Sequence, residues 1–232
     1  DIVIGADGAN SALRRIAGFR EDIKYLKGVQ FRMKYSKCHE NFVQVYLKNP
    51  FFAWIIPENA HIVRVGIISD NPYHDLSNFL KERNIEGEII EKFAGVLPLG
   101  KCSSQMGRLV LVGDAACQIK PLTHGGIYYG MRCAEILAEC IVTNRLSEYE
   151  RKWQSRFSRE IAVGLKIKKL YSELGEDNLR KLFTLLKKNK AVLEDLGDFE
   201  NHSKVIYALV RSTGLRSFLG DIFLHIFRKS LS

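Results

Sequence analysis

The feature that most constrains the fold is the order of two kinds of β-strand along the chain. Apolar runs without alternation occupy residues 2–4 and 109–112, and between them lie four segments in which apolar and polar residues alternate. Non-alternating runs are typical of parallel strands buried on both faces, whereas alternation predicts antiparallel strands with one covered face. The order predicts an α/β domain that is interrupted by an inserted antiparallel sheet.

The four alternating segments lie between Gly18 and residue 70. They read GVQFRMKYS, NFVQVYLKN, FFAWIIP and HIVRVGIIS, and turn-forming residues such as KCHE and PENA separate them. Residues 75–93 are predicted to form one or two helices. From Glu148 onward the chain is rich in lysine and arginine and is predicted to be helical throughout.

The composition indicates a globular chain. Of the 232 residues, 46% are hydrophobic and 26% are charged. No run of about 18 uncharged apolar residues is present, so we expect no membrane-spanning helix. Five cysteines occur singly without a C-x-x-C pair, so neither a zinc site nor a disulfide framework is predicted, and we expect a reducing cytoplasm.

The net charge of +9 leaves two interpretations open. It fits an anionic partner, such as nucleic acid, phospholipid or a phosphorylated substrate. Ordinary surface charge explains it equally well.

The first strand and its turn form one of two strand-turn-helix elements. In DIVIGADGANSALRR, glycines flank Asp7 in the turn, and Ser11 can cap the helix that follows. Because domains seldom begin with a central strand, we expect that residues of the natural protein precede Asp1.

The second element, VGDAACQIKPLTHGGIYYG, places a carboxylate after a strand and a glycine pair at the start of a helix. The uncapped N–H groups and the positive end of the helix dipole can hold a phosphate or another anion there. Alternatively, the glycines only permit a tight connection between strand and helix. The residues alone leave both interpretations open.

Together, the two elements resemble the FAD-dependent oxidoreductases built like para-hydroxybenzoate hydroxylase, and most of all the geranylgeranyl reductase family. FFAWIIP is similar to that family's aromatic-x-Trp-x-x-Pro pattern through Phe52, Trp54 and Pro57. The resemblance covers roughly residues 1–150. The G-x-G-x-x-G segment that cradles the FAD pyrophosphate is absent from this chain, which agrees with an N-terminal truncation and predicts weak or no FAD binding by the chain alone.

The resemblance implies the C-terminal part of a Rossmann-like FAD-binding domain, interrupted by an antiparallel-sheet substrate domain. The implied boundaries are residues 1–27 and 101–150 for the FAD-binding domain, 28–100 for the substrate domain, and 151–232 for a helical C-terminal region.

The resemblance also implies which residues contact FAD. Asp114 is expected to accept a hydrogen bond from a ribityl hydroxyl. The helix after it is expected to point its N-terminus at the flavin, where it stabilises developing negative charge. The other contacts implied near the flavin are Gly113, Pro121, Thr123, Gly125, Gly126 and Ile127. NAD(P)H or another reductant is expected to supply the electrons.

Asp7 and its flanks Gly5 and Gly8 match the family's second motif, which lies near the pyrophosphate and ribityl group and is also linked to the pyridine nucleotide. Arg14 lies in the helix that follows, from which it could reach an anionic cofactor. The alternative for Asp7 is an aspartate that only serves the backbone N–H groups of its own turn. The alternative for Arg14 is a solvated side chain on an exposed helix face.

His124 stands where relatives often have a third glycine. Either its side chain points to solvent, or it lies over the flavin or substrate as a proton donor, since the ordinary pKa of histidine is near 6.5. Two interpretations are also open for Cys102 and Cys117. Each is either a proton donor near the flavin or a buried, inert thiol.

Phe52 and Trp54 are two apart on one strand and therefore share a face. Two such aromatics are commonly core residues. The resemblance instead implies that this face forms the roof over the flavin and a lipid tunnel, which Ile56 reshapes where relatives have an aromatic residue.

The C-terminal segment RSFLGDIFLHIFRKSLS has an amphipathic pattern with basic flanks. It either packs on the domain or docks on an anionic membrane surface. KLFTLLKKNKAVLEDL could supply a second such face, although an ordinary packed helix explains it more simply.

The function implied by the resemblance is FAD-dependent reduction of isoprenoid double bonds in a prenylated lipid, with no nucleic-acid partner. A flavin monooxygenase of the same fold is the alternative enzyme. A non-catalytic remnant that binds lipid or a partner protein is the alternative from another class.

Overall fold

The computed structural model describes residues 1–37, 41–48, 51–198, 200–211 and 217. The chain divides into two compact units, Asp1–Phe157 and Ser158–Ser232. Two predicted domain boundaries, after residues 27 and 100, fall inside strands that cross the sheet, so the domain division stays a prediction.

A small three-stranded sheet forms the α/β part of the first unit. Strand β1 (Val3–Gly5) pairs in parallel with β8 (Leu109–Leu111), and β7 (Gln105–Met106) is antiparallel to β8. The pairing confirms the predicted parallel strands. The predicted burial of β1 on both faces is wrong in the described part of the chain: Val3 is 48% and Ile4 47% exposed, because the described residues leave both faces of the strand partly uncovered.

Helix α1 (Ala12–Ala17) follows β1 and begins at the predicted cap. The hydroxyl of Ser11 accepts a hydrogen bond from the backbone N–H of Arg14 at 3.0 Å. Gly18 ends the helix in the left-handed region with φ 70°.

A five-stranded antiparallel sheet fills the middle of the first unit, with strand order β3-β4-β5-β2-β6. The four predicted strands are present. The bounds are β2 Glu21–Lys34, β3 Gln44–Lys48, β4 Phe51–Asn59, β5 Ile62–Ile68 and β6 Ile89–Cys102.

Strand β6 corrects the prediction of helix over residues 75–93. Helix α2 (Pro72–Glu82) accounts for the first part, but β6 begins at Ile89. The strand pairs with β2 from Glu21 to Met33, and this long-range pairing decides the conformation of a segment whose local pattern is ambiguous.

Helix α2 covers one face of the antiparallel sheet and builds the main core there. Leu76 and Phe79 of α2 are fully buried. They belong to a cluster with side chains from three strands and the loop after α2, namely Val29, Phe31, Met33, Ala53, Ile55, Val63, Val65, Ile67 and Ile85. The opposite face carries Phe52 and Trp54, which are half-buried.

Helices complete the described chain, as predicted from Glu148 onward. Their bounds are α3 Ile127–Val142, α4 Tyr149–Glu173, α5 Glu176–Lys188, α6 Lys190–Leu196 and α7 His202–Arg211, and short 3-10 helices span Gly113–Ala116 and Leu146–Glu148. No helix in the ranges described has both the length and the apolarity needed to cross a membrane. The predicted amphipathic segment 216–232 lies outside the described residues, apart from Ser217.

In the second unit, the start of α5 packs on the end of α4 through leucines. Leu174 is buried between the two helices, and the side chains against it are Leu170, Leu179, Leu182 and Leu185.

Candidate active site

The loops that follow β1 and β8 lie together at the carboxyl ends of these two parallel strands. Strand β1 pairs in parallel with β8 from Val3 to Gly5, so the segments that follow the two strands leave the sheet at the same end. The backbone N–H of Val112 donates to the carbonyl of Gly5 at 2.9 Å and extends the pairing to the start of the second loop. Two motifs that are far apart in the sequence therefore meet here.

Asp7 caps the first turn of α1. Its Oδ2 accepts hydrogen bonds from the backbone N–H groups of Ala12 at 2.6 Å and Leu13 at 3.3 Å. A hydrogen bond from the Ser11 hydroxyl, together with these backbone bonds, lowers the pKa of the Asp7 carboxyl. Asp7 thus serves backbone N–H groups at the start of α1, and contact of Asp7 and Gly8 with FAD stays a prediction. Gly8 has φ 77°, a left-handed conformation that favours glycine.

Arg14 is fully buried, so the alternative of a solvated side chain on an exposed helix face is wrong. Its guanidinium donates to the carbonyls of Ala9 and Ala115, both at 2.7 Å, and to the hydroxyl of Tyr25. Its Nε lies 2.6 Å from Oε2 of Glu21. Arg14 thus links the loop after β1 to the loop after β8, and its predicted contact with FAD stays a prediction.

Asp114 lies at the start of the loop after β8, directly beneath the first turn of α3. A Cβ placed on Gly126 would lie 2.8 Å from Cγ2 of Ile119 and closer still to Oδ1 of Asp114. Only glycine lets the helix start this close to the carboxylate. Burial raises the pKa of Asp114, and within the described residues its carboxylate accepts no hydrogen bond.

Hydrogen bonds of the Gln118 side chain hold the loop that carries Asp114 in place. The Gln118 side chain accepts from the backbone N–H of Gly113 at 2.8 Å and donates to the hydroxyl of Tyr149 at 3.0 Å. The Tyr149 hydroxyl in turn donates to the carbonyl of Leu111 at 2.8 Å. The sequence analysis missed this buried chain of hydrogen bonds, because no local pattern identifies a glutamine or a tyrosine that packs inward.

His124 is 7% exposed, so the alternative that it points to solvent is wrong. Its ring stacks on the ring of Phe52, with centroids 5.5 Å apart and planes 14° from parallel. The backbone of His124 is left-handed, with φ 57°, and its N–H donates to the carbonyl of Lys120 at 2.8 Å. The loop after β8 thereby contacts the inserted sheet.

Trp54 lies beside Phe52 on the same sheet face, with ring centroids 5.8 Å apart. Its indole Nε1 donates to Oε1 of Gln30 at 2.9 Å. The ring lies across Gly66, where an added Cβ would come within 2.5 Å of Cε2 of the indole. The sequence analysis missed Gln30 and Gly66, although a lone glycine inside a strand often marks a close approach of this kind.

Pro57 does not join Phe52 and Trp54. It pairs with Val63, whose side chain lies in the helix-covered core, and directly opposed residues share a face of the sheet. Pro57 is therefore on the other face, and its predicted contact with substrate stays a prediction. Ile56 shares the face of Trp54 and is half-buried.

The remaining predicted residues lie along the loop between the 3-10 helix and α3. Pro121 is buried, Gly125 is half-buried, Thr123 is exposed, and Ile127 is 83% exposed. Lys120, which the sequence analysis missed, is 2% exposed, and its Nζ lies 5.9 Å from the ring centroid of Tyr129. Lysine is rarely buried, so no sequence signal predicts this position.

Cys102 and Cys117 are buried in one cluster with Phe19 and Leu111. Burial raises the pKa of Cys102 to about 11 and that of Cys117 to about 12. Both thiols are therefore protonated at neutral pH, as expected of inert buried cysteines.

Comparison with known proteins adds a family to this geometry. No protein-family model matches the chain. An uncharacterized protein of Methanocaldococcus jannaschii is 32% identical over 91% of this chain and 60% of its own length. Digeranylgeranylglycerophospholipid reductase 1 of Methanococcoides burtonii is 30% identical over 85% of this chain and 55% of its own length.

A solved structure of a protein described as reductase-like is also similar to this chain. The crystal structure of a geranylgeranyl bacteriochlorophyll reductase-like protein from Thermoplasma acidophilum is 25% identical, with a TM-score of 0.77 over 95% of this chain and 62% of that one. The named relatives and this structure support the geranylgeranyl reductase family. The chain spans 55–60% of the length of the two curated relatives described here.

The residues of the site fit FAD as this family would hold it. The half-buried carboxylate of Asp114 can accept a hydrogen bond from a cofactor hydroxyl. The first turn of α3 begins at Gly126 without a side-chain cap, so its N–H groups can face an anionic group. Gly126 also leaves room for a close approach, because any side chain there would collide with Asp114.

Proposed function

We propose that this chain carries the flavin-facing and substrate-facing parts of an FAD-dependent reductase that acts on isoprenoid double bonds of a prenylated lipid. The observation that carries the proposal is the contact of the His124 ring with Phe52. It brings the loop of Asp114 and Gly126 against the apolar face of the inserted sheet. A cofactor on that loop would meet a substrate on that face.

Each part of the site has a separate task. Asp114 and the first turn of α3 would hold and orient FAD, and Asp7 and Gly8 would contribute from the neighbouring loop. When bound and reduced, FAD supplies a hydride to one carbon of the double bond. Phe52 and Trp54 would hold the prenyl chain and exclude water.

The reaction also requires a proton for the second alkene carbon. His124 is a titratable side chain that contacts the sheet face, at the ring of Phe52. We therefore propose His124 as the proton donor. NAD(P)H or another reductant would return the flavin to its reduced form.

The family relatives support a lipid substrate. The Methanococcoides burtonii protein is named as a reductase of a digeranylgeranylglycerophospholipid. An apolar face built from Phe52, Trp54 and Ile56 suits a long hydrocarbon chain better than a small polar ring. Cytoplasmic action on a membrane lipid would also require contact with an anionic membrane surface.

The test uses the chain as given and a chimaera in which it replaces the matching segment of the Methanococcoides burtonii reductase. Each protein is mixed with FAD, and the chain alone is expected to retain little or none. The chimaera is then reduced without oxygen and given a geranylgeranyl lipid. We expect the chimaera to yield a product heavier by two hydrogens for each reduced bond. Trp54→Ala should lower that rate and leave FAD bound, whereas Asp114→Ala should weaken FAD retention about fivefold or more.

Val142→Ala is the matched control, because Val142 is 85% exposed at the end of α3. It should leave both FAD binding and the rate unchanged. A product that forms only with oxygen and gains one oxygen atom would identify a monooxygenase instead. A chimaera that binds FAD and prenyl lipid but forms no product would support the non-catalytic alternative.

A further inference from the structure

Helix α5 (Glu176–Lys188) carries an apolar side chain on its solvent face. One side of the helix packs on the second unit through Leu179, Leu182 and Leu185. Phe183 is 62% exposed although it sits beside this packed side. Helices that lie at a membrane surface combine exposed apolar side chains of this kind with a face rich in lysine and arginine.

Four basic side chains lie on the exposed surface of α5, and two of them are next to Phe183. Arg180 precedes it by three positions and Lys187 follows it by four, so all three side chains share one face. Lys181 and Lys188 widen the basic surface further around the helix and are exposed. We call Phe183 and these four residues the Phe183 surface.

The cations of the Phe183 surface are not neutralised within the described part of the chain. None of the four forms an ion pair there, whereas Lys190, two positions after the helix, pairs with Glu194 at 3.1 Å. The acids of α5, Glu176 and Asp177, are confined to its first turn.

The helix dipole explains only part of this pattern. Basic residues in the last turn stabilise a helix, which accounts for Lys187 and Lys188. Arg180 and Lys181 lie in the middle of α5, where the dipole gives them no role, and the dipole gives no reason for an exposed Phe183.

We propose that the Phe183 surface docks on an anionic lipid bilayer. The lysines and arginine would contact the headgroups, and the phenyl ring would enter the boundary of the acyl chains. The charge complementarity selects an anionic surface, and the outward ring selects a bilayer over a purely ionic partner. This proposal deepens the proposed function by supplying the place where a lipid-modifying enzyme meets its membrane.

The test is co-sedimentation of the full chain with phosphatidylglycerol–phosphatidylcholine vesicles and with phosphatidylcholine vesicles alone. We expect binding to the anionic vesicles that falls at high salt. Phe183→Ala should lower the partition coefficient about tenfold, as should the double variant Lys187→Gln, Lys188→Gln. Because all these side chains are exposed, thermal unfolding should stay unchanged.

Matched controls come from the first unit. Val142→Ala removes an apolar side chain that is 85% exposed, and Lys34→Gln removes a lysine that is 61% exposed and paired with Glu88. Both should bind vesicles as the unaltered chain does. In the Phe183→Trp variant, brominated lipid should quench more tryptophan fluorescence than it does in the unaltered chain, which has only Trp54 and Trp153.

Three results would overturn the proposal. The first is vesicle binding that is unchanged in the Phe183 and lysine variants, which would place docking elsewhere in the chain. The second is the absence of added quenching in Phe183→Trp. The third is binding of single-stranded DNA that is lost in the same variants while vesicles are ignored. Because the assay measures binding and not reduction, failure here leaves the proposed reaction untouched, and failure of that reaction leaves this result untouched.

Discussion

Substitution of Gly66 by alanine tests whether the indole of Trp54 is held in one position. Gly66 and Trp54 are directly opposed on β5 and β4. A Cβ at Gly66 would lie 2.5 Å from Cε2 and 2.9 Å from Nε1 of the indole. Real contacts of a Cβ are longer than this, so either the strands or the ring must move.

The two ways to relieve this collision have similar energetic costs. If the ring stays, the strands must shift around an overpacked side chain, which costs about 1–3 kcal/mol. If the ring turns away, Trp54 loses its hydrogen bond to Gln30, worth about 1 kcal/mol, together with part of its packing on Phe52. We therefore expect Gly66→Ala to lower the free energy of unfolding of the first unit by about 1–3 kcal/mol.

Urea denaturation followed by tryptophan fluorescence measures this change, because Trp54 and Trp153 both lie in the first unit. The same substitution in a Trp54→Ala background supplies the decisive comparison. With the indole gone, Gly66→Ala should cost less than about 0.5 kcal/mol. An equal cost in both backgrounds would show that the glycine is needed for its backbone and not for the ring, and the reasoning would be refuted.

Three further predictions concern the loops of the site. Asp114→Asn should stabilise the chain by about 1 kcal/mol at neutral pH, because burial raises the pKa of this carboxyl above 3.8 and an ionised group of that kind lowers stability. The gain should shrink as the pH falls toward 3.8, and a gain that is constant with pH in urea titrations would contradict the cause. Arg14→Met should destabilise by about 1–3 kcal/mol, since it removes the donor to the buried carbonyl of Ala115, whereas its charged partner Glu21 is 36% exposed and stays solvated. The exposed Arg15→Met should change stability by less than about 0.5 kcal/mol. Tyr149→Phe should cost about 1–2 kcal/mol in the same assay through the loss of its bonds to Leu111 and Gln118, and an unchanged midpoint would show that water replaces them.

The sequence predicted the strands of the inserted sheet because alternation reports directly which side chains face a core. It could not predict β6, since residues 89–102 mix charges, glycine and proline, and only the pairing with β2 makes them a strand. Arg14 shows the same limit at the level of one residue. The sequence left it between contact with a cofactor and a solvated helix face, and it could not show the partner Ala115, which is 101 residues away.

His124 shows what a family pattern can and cannot predict. The pattern placed it beside the glycine pair, and the left-handed φ of 57° is consistent with a position that relatives fill with glycine. Nothing in the pattern predicted that its ring would stack on Phe52, because that contact joins a loop of the α/β part to a strand of the insert.

The arrangement explains how an inserted sheet can influence a cofactor loop. Two links hold the site together: the guanidinium of Arg14 fixes the loop after β8 to the loop after β1, and the ring of His124 rests on Phe52 of the insert. Trp54 is the next aromatic on that face, and Gln30 and Gly66 hold its indole against Phe52. A substitution on the sheet, such as Gly66→Ala, can therefore affect the loop of Asp114 through two ring contacts, that of Trp54 with Phe52 and that of Phe52 with His124. If the proposed function is correct, substitutions that move Trp54 should alter the position of the substrate first and the retention of FAD only when the contact between Phe52 and His124 is also lost.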